Sequence, residues 1–309
     1  MTPKQVERLE KTLGRVAREQ GLDQERLRRW VSFLALCGVL ESAVEKGVID
    51  IYYLKGGVAM ELRFARAART TKDFDLGLRG NRAERIQRLS EVLQLRFDEF
   101  TFRLKPEQHE MEQADTVRVE VAVEYKTRAW QTIEVDLGPG EAREVDLVKP
   151  AIEGVAEMGL PITNQVRCLG INEQVAQKLH ACTGPQRQDR ARDILDILVV
   201  DMLGQLDRMR ARVAAERIFG ERNAHPFPPE TIIPSEWHID LKLWPLSWDT
   251  VRRKRQKLKM TKLLGIRNAF KSRIYLAHEE LLHAGENSPL SEVSPACWQR
   301  TRMLFTDRA

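Results

Sequence analysis

The chain has 309 residues, with 50 lysine and arginine residues against 45 aspartate and glutamate residues and a formal net charge of +5. Hydrophobic residues make up 42% and charged residues 31% of it, which excludes an intrinsically disordered chain and fits a globular protein with a sizeable core. No run approaches the ~18 apolar residues of a membrane helix, and the charged N-terminus is unlike a secretory signal. We therefore expect a soluble, cytoplasmic protein with no membrane partner.

The predicted elements begin with two helices over residues 3–48, separated near Gly21, with Asp23 as the cap of the second helix. Valines then alternate with polar residues over 117–123, and the same alternation returns over 133–137, which predicts half-buried strands. The other elements predicted before residue 170 are strands over 51–54, 74–78 and 100–104 and helices over 58–67 and 83–95.

No helix-length segment separates the later strands, so we expect an antiparallel or mixed sheet. Beyond Gly170 the chain becomes helical, a proline-rich loop covers 226–234, and a basic helical region is predicted over 247–284. The predicted fold class is therefore α+β, a mixed sheet with flanking helices and a helical C-terminal half. The predicted helices of that half cover 172–182, 190–203 and 205–219, and the predicted domains are 1–48, 49–168 and 169–309.

The four cysteines, Cys37, Cys168, Cys182 and Cys297, lie far apart in the sequence and form no C-x-x-C pair. This spacing gives no support to structural zinc, and a disulfide framework would be unusual in so long a chain. We interpret the cysteines as buried free thiols.

A glycine pair, Gly56 and Gly57, lies between a predicted strand and a predicted helix, directly after Lys55. Glycines at such a junction let the backbone approach a phosphate closely, and the helix N-terminus directs N–H groups at the anion. Lys55 either belongs to this phosphate site or caps the end of the strand. A glycine pair is, however, also a common turn without any ligand.

Asp73 and Asp75 are two residues apart on the next predicted strand, so they project from one face. Their carboxylates can converge on one Mg²⁺ (or Mn²⁺) or lie on either side of a pair of ions, and water and substrate phosphates complete the shell. Together with the glycine pair, they indicate in-line phosphoryl or nucleotidyl transfer. Asp-x-Asp also arises by chance, and no Walker A, His-Glu-x-x-His or kinase motif accompanies it.

A third acid lies on the polar face of the strand over 133–137, where Asp136 is preferred over Glu134. It is either a third metal ligand or part of a solvated strand face, because one face of an antiparallel strand is often polar.

Taken together, two separated motifs resemble the AbiEii/AbiGii nucleotidyltransferase toxin family, which includes the MenT-type toxins of toxin–antitoxin systems. The resemblance extends over about residues 50–200, and 49–168 would be its nucleotidyltransferase-like core. The segments that carry the resemblance are 54–60, 69–76, 172–181 and 190–197.

Thr71 stands where the family usually has a serine two residues before the first aspartate, and it keeps the hydroxyl. Val58 stands where the family has threonine after the glycines, which removes a hydroxyl that could contact phosphate. The family's catalytic lysine and aspartate fall on Lys178 and Asp193. Without the family, we would interpret Lys178 as a surface lysine and Asp193, like Asp196, as a partner of neighbouring arginines.

The resemblance implies a metal-dependent nucleotidyltransferase that uses an NTP, transfers NMP to the 3′ end of tRNA and is restrained by a cognate antitoxin. Lys178 would bind phosphate, and Asp193 would serve as a base or an orienting acid. The catalytic residues would be Asp73, Asp75, Lys178 and Asp193, and the nucleotide contacts Lys55, Gly56, Gly57 and Thr71. The metal ligands would be Asp73 and Asp75, with Asp136, named from the strand pattern, as the candidate third ligand.

Residues 252–273 hold ten lysines and arginines and no acid. This run is either a solvated basic face or a surface for an RNA backbone, and the absence of any acid favours RNA. Two alternatives to a tRNA-modifying toxin remain. A small-molecule, antibiotic-type nucleotidyltransferase would need an acidic cleft, which conflicts with this basic run. An inactive relative that only binds RNA or protein is disfavoured by the intact Asp73 and Asp75.

Overall fold

A computed structural model describes residues 4–110, 115–152, 154–155, 158–160, 163–185, 190–203 and 206–229. The chain forms two compact units, Met1–Gly170 and Ile171–Ala309. The helices of the first unit are α1 (Lys4–Gln20), α2 (Gln24–Glu45), α3 (Gly56–Phe64) and α4 (Arg82–Val92). Its strands are β1 (Tyr52–Leu54), β2 (Asp73–Leu78), β3 (Phe100–Glu110), β4 (Val117–Tyr125), β5 (Arg128–Pro139), β6 (Val145–Val148) and β7 (Val166–Leu169). The described helices of the second unit are α5 (Ile171–Thr183), α6 (Ala191–Met202) and α7 (Arg208–Arg222).

The described strands form one seven-stranded sheet in the order β3-β4-β5-β2-β1-β7-β6. Strand β2 pairs in parallel with β5, and β1 pairs in parallel with β7, whereas the other neighbours are antiparallel. The prediction of an α+β fold with a mixed sheet is therefore confirmed.

One face of the sheet is packed into the hydrophobic core beneath α2. This helix is buried on most sides, which explains why its sequence is apolar nearly all round. Its Phe33 ring lies 5.4 Å from the ring of Phe74 on β2, measured between centroids. The valines of β4 enter the same core, so that Arg118 and Glu120, which alternate with them, project from the opposite face of the sheet.

Helix boundaries follow local capping where a cap exists. Asp23 accepts a hydrogen bond from the backbone N–H of Arg26 at 2.7 Å, as predicted. Helix α7 begins at Arg208 rather than at 205, because Asp207 caps it by accepting from the N–H of Arg210 at 3.1 Å. Helix α3 begins at Gly56 rather than Val58, immediately after the strand end.

Three features of the sheet were not predicted from the sequence. Strand β3 continues to Glu110, well beyond the predicted end at residue 104. Strands β6 and β7 were missed, because each has only four residues and neither shows a sustained alternation. Such short strands exist through their pairing with each other and, for β7, with β1.

Three cysteines, Cys37, Cys168 and Cys182, are buried free thiols, as predicted. Burial raises the pKa of each thiol above its ordinary range, to about 12 for Cys168. Cys297, the basic run 252–273 and the helical region predicted over 247–284 lie outside the described residues. Within the part of the chain that is described, every helix is too short or too polar to cross a membrane.

Candidate active site

Strand β2 presents Asp73 and Asp75 on the sheet face opposite to α2. Both acids are partly exposed, whereas Phe74 and Leu76 between and after them are buried. The parallel register with β5 puts Asp136 beside Asp75. The structure therefore brings together on one face the three acids that the sequence analysis nominated as metal ligands.

The glycine pair lies directly against this acidic strand. Gly56 has a φ of +57°, a left-handed conformation that favours glycine, and a Cβ there would collide with the carboxylate of Asp75. A Cβ on Gly57 would lie 2.7 Å from the Cβ of Thr71, which is also too close. Both glycines are thus required by the approach of the protein's own side chains.

Lys55 occupies the N-cap position of α3, where its side chain makes no capping hydrogen bond. Its backbone N–H donates to the carbonyl of Asp75 at 3.0 Å, which ties the turn to β2. Its Nζ lies 2.8 Å from the position that a Cβ on Gly138 would occupy. The ammonium of Lys55 therefore lies against β5, the strand that also carries Asp136.

Thr71 is buried at the entrance to β2, and its position depends on a carboxylate that the sequence analysis did not identify. The N–H of Thr71 donates to Glu61 at 3.3 Å, and Glu61 also accepts from Nε of Arg26 at 2.8 Å. Burial raises the pKa of Glu61, and the charge of Arg26 opposes that rise. Neither residue carries a motif that a single sequence could reveal.

Arg118 of β4 is the main participant that sequence reasoning missed. Its Nε and Nη2 donate to the two carboxylate oxygens of Asp136 at 2.7 and 2.8 Å. Nη2 also donates to Asp73 at 3.1 Å, and Nη1 to Glu134 at 3.2 Å. The hydrogen bonds with Asp136, and the charges of all three acids, raise the pKa of Arg118. The alternation of β4 gave its face, but only the cross-strand register shows which acids it meets.

The chemistry of this face suits oxygen-preferring cations. Among the described residues, no group of three or more His, Cys, Asp or Glu side chains is arranged to hold a metal ion. Asp136 is engaged by Arg118 through both of its oxygens. Asp73 and Asp75 are the pair of hard donors that fits Mg²⁺, which commonly takes one or two carboxylates and completes its shell from phosphates.

In the second unit, Lys178 of α5 lies between two aspartates of α6. Its Nζ donates to Asp193 at 2.8 Å and to Asp196 at 2.7 Å. Only 7% of Lys178 is exposed, and both aspartates are buried, which argues against the alternative of a surface lysine. Arg190 also pairs with Asp193, at the longer distance of 3.9 Å.

Comparison with known proteins gives this geometry its context. Among solved structures, MenT4, a nucleotidyltransferase toxin from Mycobacterium tuberculosis H37Rv, is similar over 93% of this chain and 98% of its own. The sequence identity is 15% and the TM-score is 0.51, which shows a shared fold. The antibiotic-resistance factor ANT(2″)-Ia matches 61% of this chain and 92% of its own at 17% identity, with a TM-score of 0.36 that supports no inference.

No curated protein matches the chain. The family model of the AbiEii nucleotidyltransferase toxins, described as a type IV toxin–antitoxin system, matches residues 39–264. The resemblance first seen in the two sequence motifs is thereby confirmed. The chain belongs to the AbiEii family of nucleotidyltransferase toxins.

Proposed function

We propose that this nucleotidyltransferase binds a divalent metal ion through Asp73 and Asp75 and transfers NMP from an NTP to the 3′ end of tRNA. The observation that carries the proposal is the position of these two carboxylates, on one face of β2 and directly against the Gly56 turn. A pair of hard oxygen donors beside a turn at a helix N-terminus is suited to a metal-bound triphosphate.

When bound, Mg²⁺ or Mn²⁺ would neutralise the triphosphate and polarise its α-phosphate. The residues of the turn then have separate tasks. The α3 N-terminus directs backbone N–H groups at the phosphates, and Lys55 supplies a positive charge beside them. Thr71 contributes a hydroxyl next to Gly57. The contacts around the turn and the family motif support these assignments.

Lys178 and Asp193 enter the proposal from the family resemblance. The two ion pairs hold Lys178 in a defined position, which is what the phosphate-binding role implied by the family would need. Asp193 either orients this lysine or serves as a base. Asp136 as a third metal ligand stays a prediction of the sequence analysis.

The proposed chemical step is the transfer of NMP from the NTP to the acceptor hydroxyl, with pyrophosphate as the leaving group. The acceptor hydroxyl gives its proton to a base, either Asp193 or a water molecule, and its oxygen forms a bond to the α-phosphorus. The bond between the α-phosphorus and the bridging oxygen to the β-phosphate breaks, and pyrophosphate leaves. Catalysis of such a transfer rests mainly on positioning and on charge neutralisation.

The proposed acceptor is tRNA, and the proposed place of action is the cytoplasm, where tRNA and NTPs meet. Support comes from the net charge of +5 and from the acid-free basic run 252–273. A polyanion gains affinity from each lysine or arginine that contacts a phosphate, with a corresponding dependence on salt. The toxin family also implies a cognate antitoxin as a partner.

Incubation with Mg²⁺, each α-labelled NTP in turn and total tRNA tests the proposal. We expect label on tRNA with the wild-type protein and a loss of about two orders of magnitude or more with Asp73→Asn. Asp50→Asn, which changes an exposed acid ahead of β1, is the matched control and should retain activity. Asn preserves the size of the side chain, so folding is expected to survive in both variants.

Other outcomes of this assay separate the alternatives. If label appears on added aminoglycosides or other small hydroxyl compounds and none appears on tRNA, the acceptor is a small molecule and the tRNA proposal is wrong. Intact NTP with every acceptor, from a protein that still binds tRNA, would point to an inactive RNA-binding relative. Growth arrest on expression of the wild type but not of Asp73→Asn would tie the toxic effect to the carboxylate pair.

A further inference from the structure

We infer that Arg118 is a positioning residue of this site, whose guanidinium occupies the place of a second cation. It holds Asp136 out of the metal's ligand set and orients Asp73, so that the protein without nucleotide binds one divalent ion weakly. The inference rests on the proposed metal pair, Asp73 and Asp75, and adds a residue to it that the family motifs do not contain.

The guanidinium of Arg118, which projects from β4, connects carboxylates of the two strands β5 and β2. Arg118 is directly opposite Asp136 in the pairing of β4 with β5, and Asp136 is beside Asp75 in the pairing of β5 with β2. From β4 the side chain crosses β5 to reach Asp73 on β2, at 3.1 Å. A guanidinium offers five N–H donors in one plane. Arg118 makes four hydrogen bonds with them to the carboxylates of Asp136, Asp73 and Glu134.

The charges on this face explain why a cation is needed there. Four carboxylates, those of Asp73, Asp75, Glu134 and Asp136, occupy neighbouring register positions on β2 and β5. Like charges at this spacing repel one another unless a cation is shared among them. The guanidinium of Arg118 donates to three of these four carboxylates and supplies such a cation.

Competition for the same oxygens follows from this arrangement. Both oxygens of Asp136 accept from Arg118, so a metal ion could gain Asp136 only by displacing the guanidinium. Asp73 differs, because it accepts from Arg118 through Oδ1 alone, at 3.1 Å, and a carboxylate has about four lone-pair sites. Asp73 can therefore be oriented by Arg118 and still ligate, with the phosphates of an NTP supplying the other ligands.

Calorimetric titration of the nucleotide-free protein with Mn²⁺ tests the inference directly. We expect Arg118→Gln to raise the Mn²⁺ affinity about tenfold or to add a second ion, because Asp136 is released. The gain should disappear in the double variant Arg118→Gln/Asp136→Asn. Lys105→Gln is the matched control, since it removes a cation of β3 that pairs with Glu120 of β4 at 2.7 Å and makes no contact with Asp73 or Asp136.

A second variant keeps the test decisive if Arg118→Gln fails to fold. With Arg118 intact, Asp136→Asn should leave the Mn²⁺ affinity within about twofold of the wild type, whereas Asp75→Asn should lower it about tenfold or more. A tenfold loss in Asp136→Asn would show that Asp136 is a ligand and would overturn the inference. An unchanged isotherm in folded Arg118→Gln would likewise leave Arg118 as an ordinary cross-strand ion pair.

The titration also separates this inference from the proposed function. If the wild type binds Mn²⁺ and Asp75→Asn does not, the metal pair stands, and the Arg118 variants alone decide the role of the guanidinium. If the wild type binds no Mn²⁺ even with a non-hydrolysable NTP analogue present, the proposed metal site fails and the role of Arg118 fails with it.

Discussion

Gly56 shows how one residue serves conformation and chemistry together. Its φ of +57° would be unfavourable for other residues, and the space of its absent side chain is filled by the Asp75 carboxylate. The sequence analysis interpreted the glycine pair as a means for a phosphate to approach the backbone. In the structure, the group that lies close to the backbone of Gly56 is the carboxylate of Asp75.

Substitution of Gly56 by alanine should therefore cost both stability and activity. We expect Gly56→Ala to lower the free energy of unfolding by about 1–3 kcal/mol, through left-handed strain and the collision with Asp75. Nucleotide transfer should fall further, because Asp75 must move. Urea denaturation and the tRNA-labelling assay measure the two effects.

Gly21 offers a matched control for the backbone term. Its φ is +60°, but a Cβ there would meet nothing within 4 Å. Gly21→Ala should thus cost about 1 kcal/mol and leave transfer unchanged. If both variants lost stability and activity equally, contact with Asp75 would not be the reason for the glycine.

At the scale of secondary-structure elements, α5 and α7 are held together by an aromatic contact and an ion pair. His180 of α5 packs edge-on against Phe219 of α7, with ring centroids 4.9 Å apart, and lies beside His225 at 4.6 Å. Glu173 and Arg217 join the same two helices through a partly buried ion pair of 2.9 Å. Burial, assisted by Arg222 and His225, lowers the pKa of His180 to about 4.

The lowered pKa of His180 predicts a dependence of stability on pH. The unfolded chain takes up a proton on this ring below its ordinary pKa of 6.5, whereas the folded chain does so only near 4. The contribution to stability is therefore complete above pH 6.5 and is lost as pH falls from 6.5 towards 4. We expect a loss of about 1–2 kcal/mol, because solvent around the exposed Arg222 weakens the effect.

Comparison with His180→Gln isolates this contribution. Between pH 6.5 and 4 the free energy of unfolding should fall less steeply in the variant than in the wild type, although other groups titrate equally in both. Urea denaturation at pH 7.5, 6 and 5 supplies the measurement. Parallel pH profiles for the two proteins would show that His180 titrates alike in the folded and unfolded states.

On the scale of the whole molecule, the chain consists of two compact units, and the carboxylates of the proposed metal site belong to the first. In the first unit, the hydrophobic core and the candidate active site lie on opposite faces of the sheet. Helix α2 covers one face, and the acids of β2 and β5 lie on the other. The packing beneath Phe74 therefore supports the positions of Asp73 and Asp75 above it. Core and site are coupled through a single strand.

Phe74→Ala should show this coupling. Phe74 is fully buried against Phe33, so its truncation is expected to cost about 3–5 kcal/mol of unfolding free energy. Phe74→Leu fills more of the space and should cost clearly less. Denaturation followed by transfer assays on the folded fraction would check both. Full activity in a strongly destabilised Phe74→Ala would show that the acids are held independently of the core.

Short-range patterns in the sequence determined much of this protein. The alternation of valines predicted β4 and its two faces, Asp23 predicted the start of α2, and the two motifs predicted the family. Periodicity and capping involve residues close in sequence, so a single chain reveals them. The carboxylate pair on one face of β2 follows from the same two-residue period.

Tertiary structure alone decided which distant residues meet. The parallel register of β2 and β5, the three carboxylates bound by Arg118, and the burial of Lys178 between Asp193 and Asp196 have no local signature. Strands β6 and β7 likewise exist only through each other and β1. Register and burial are set by the packing of segments far apart in the chain, and the sequence by itself does not state which segments pack together.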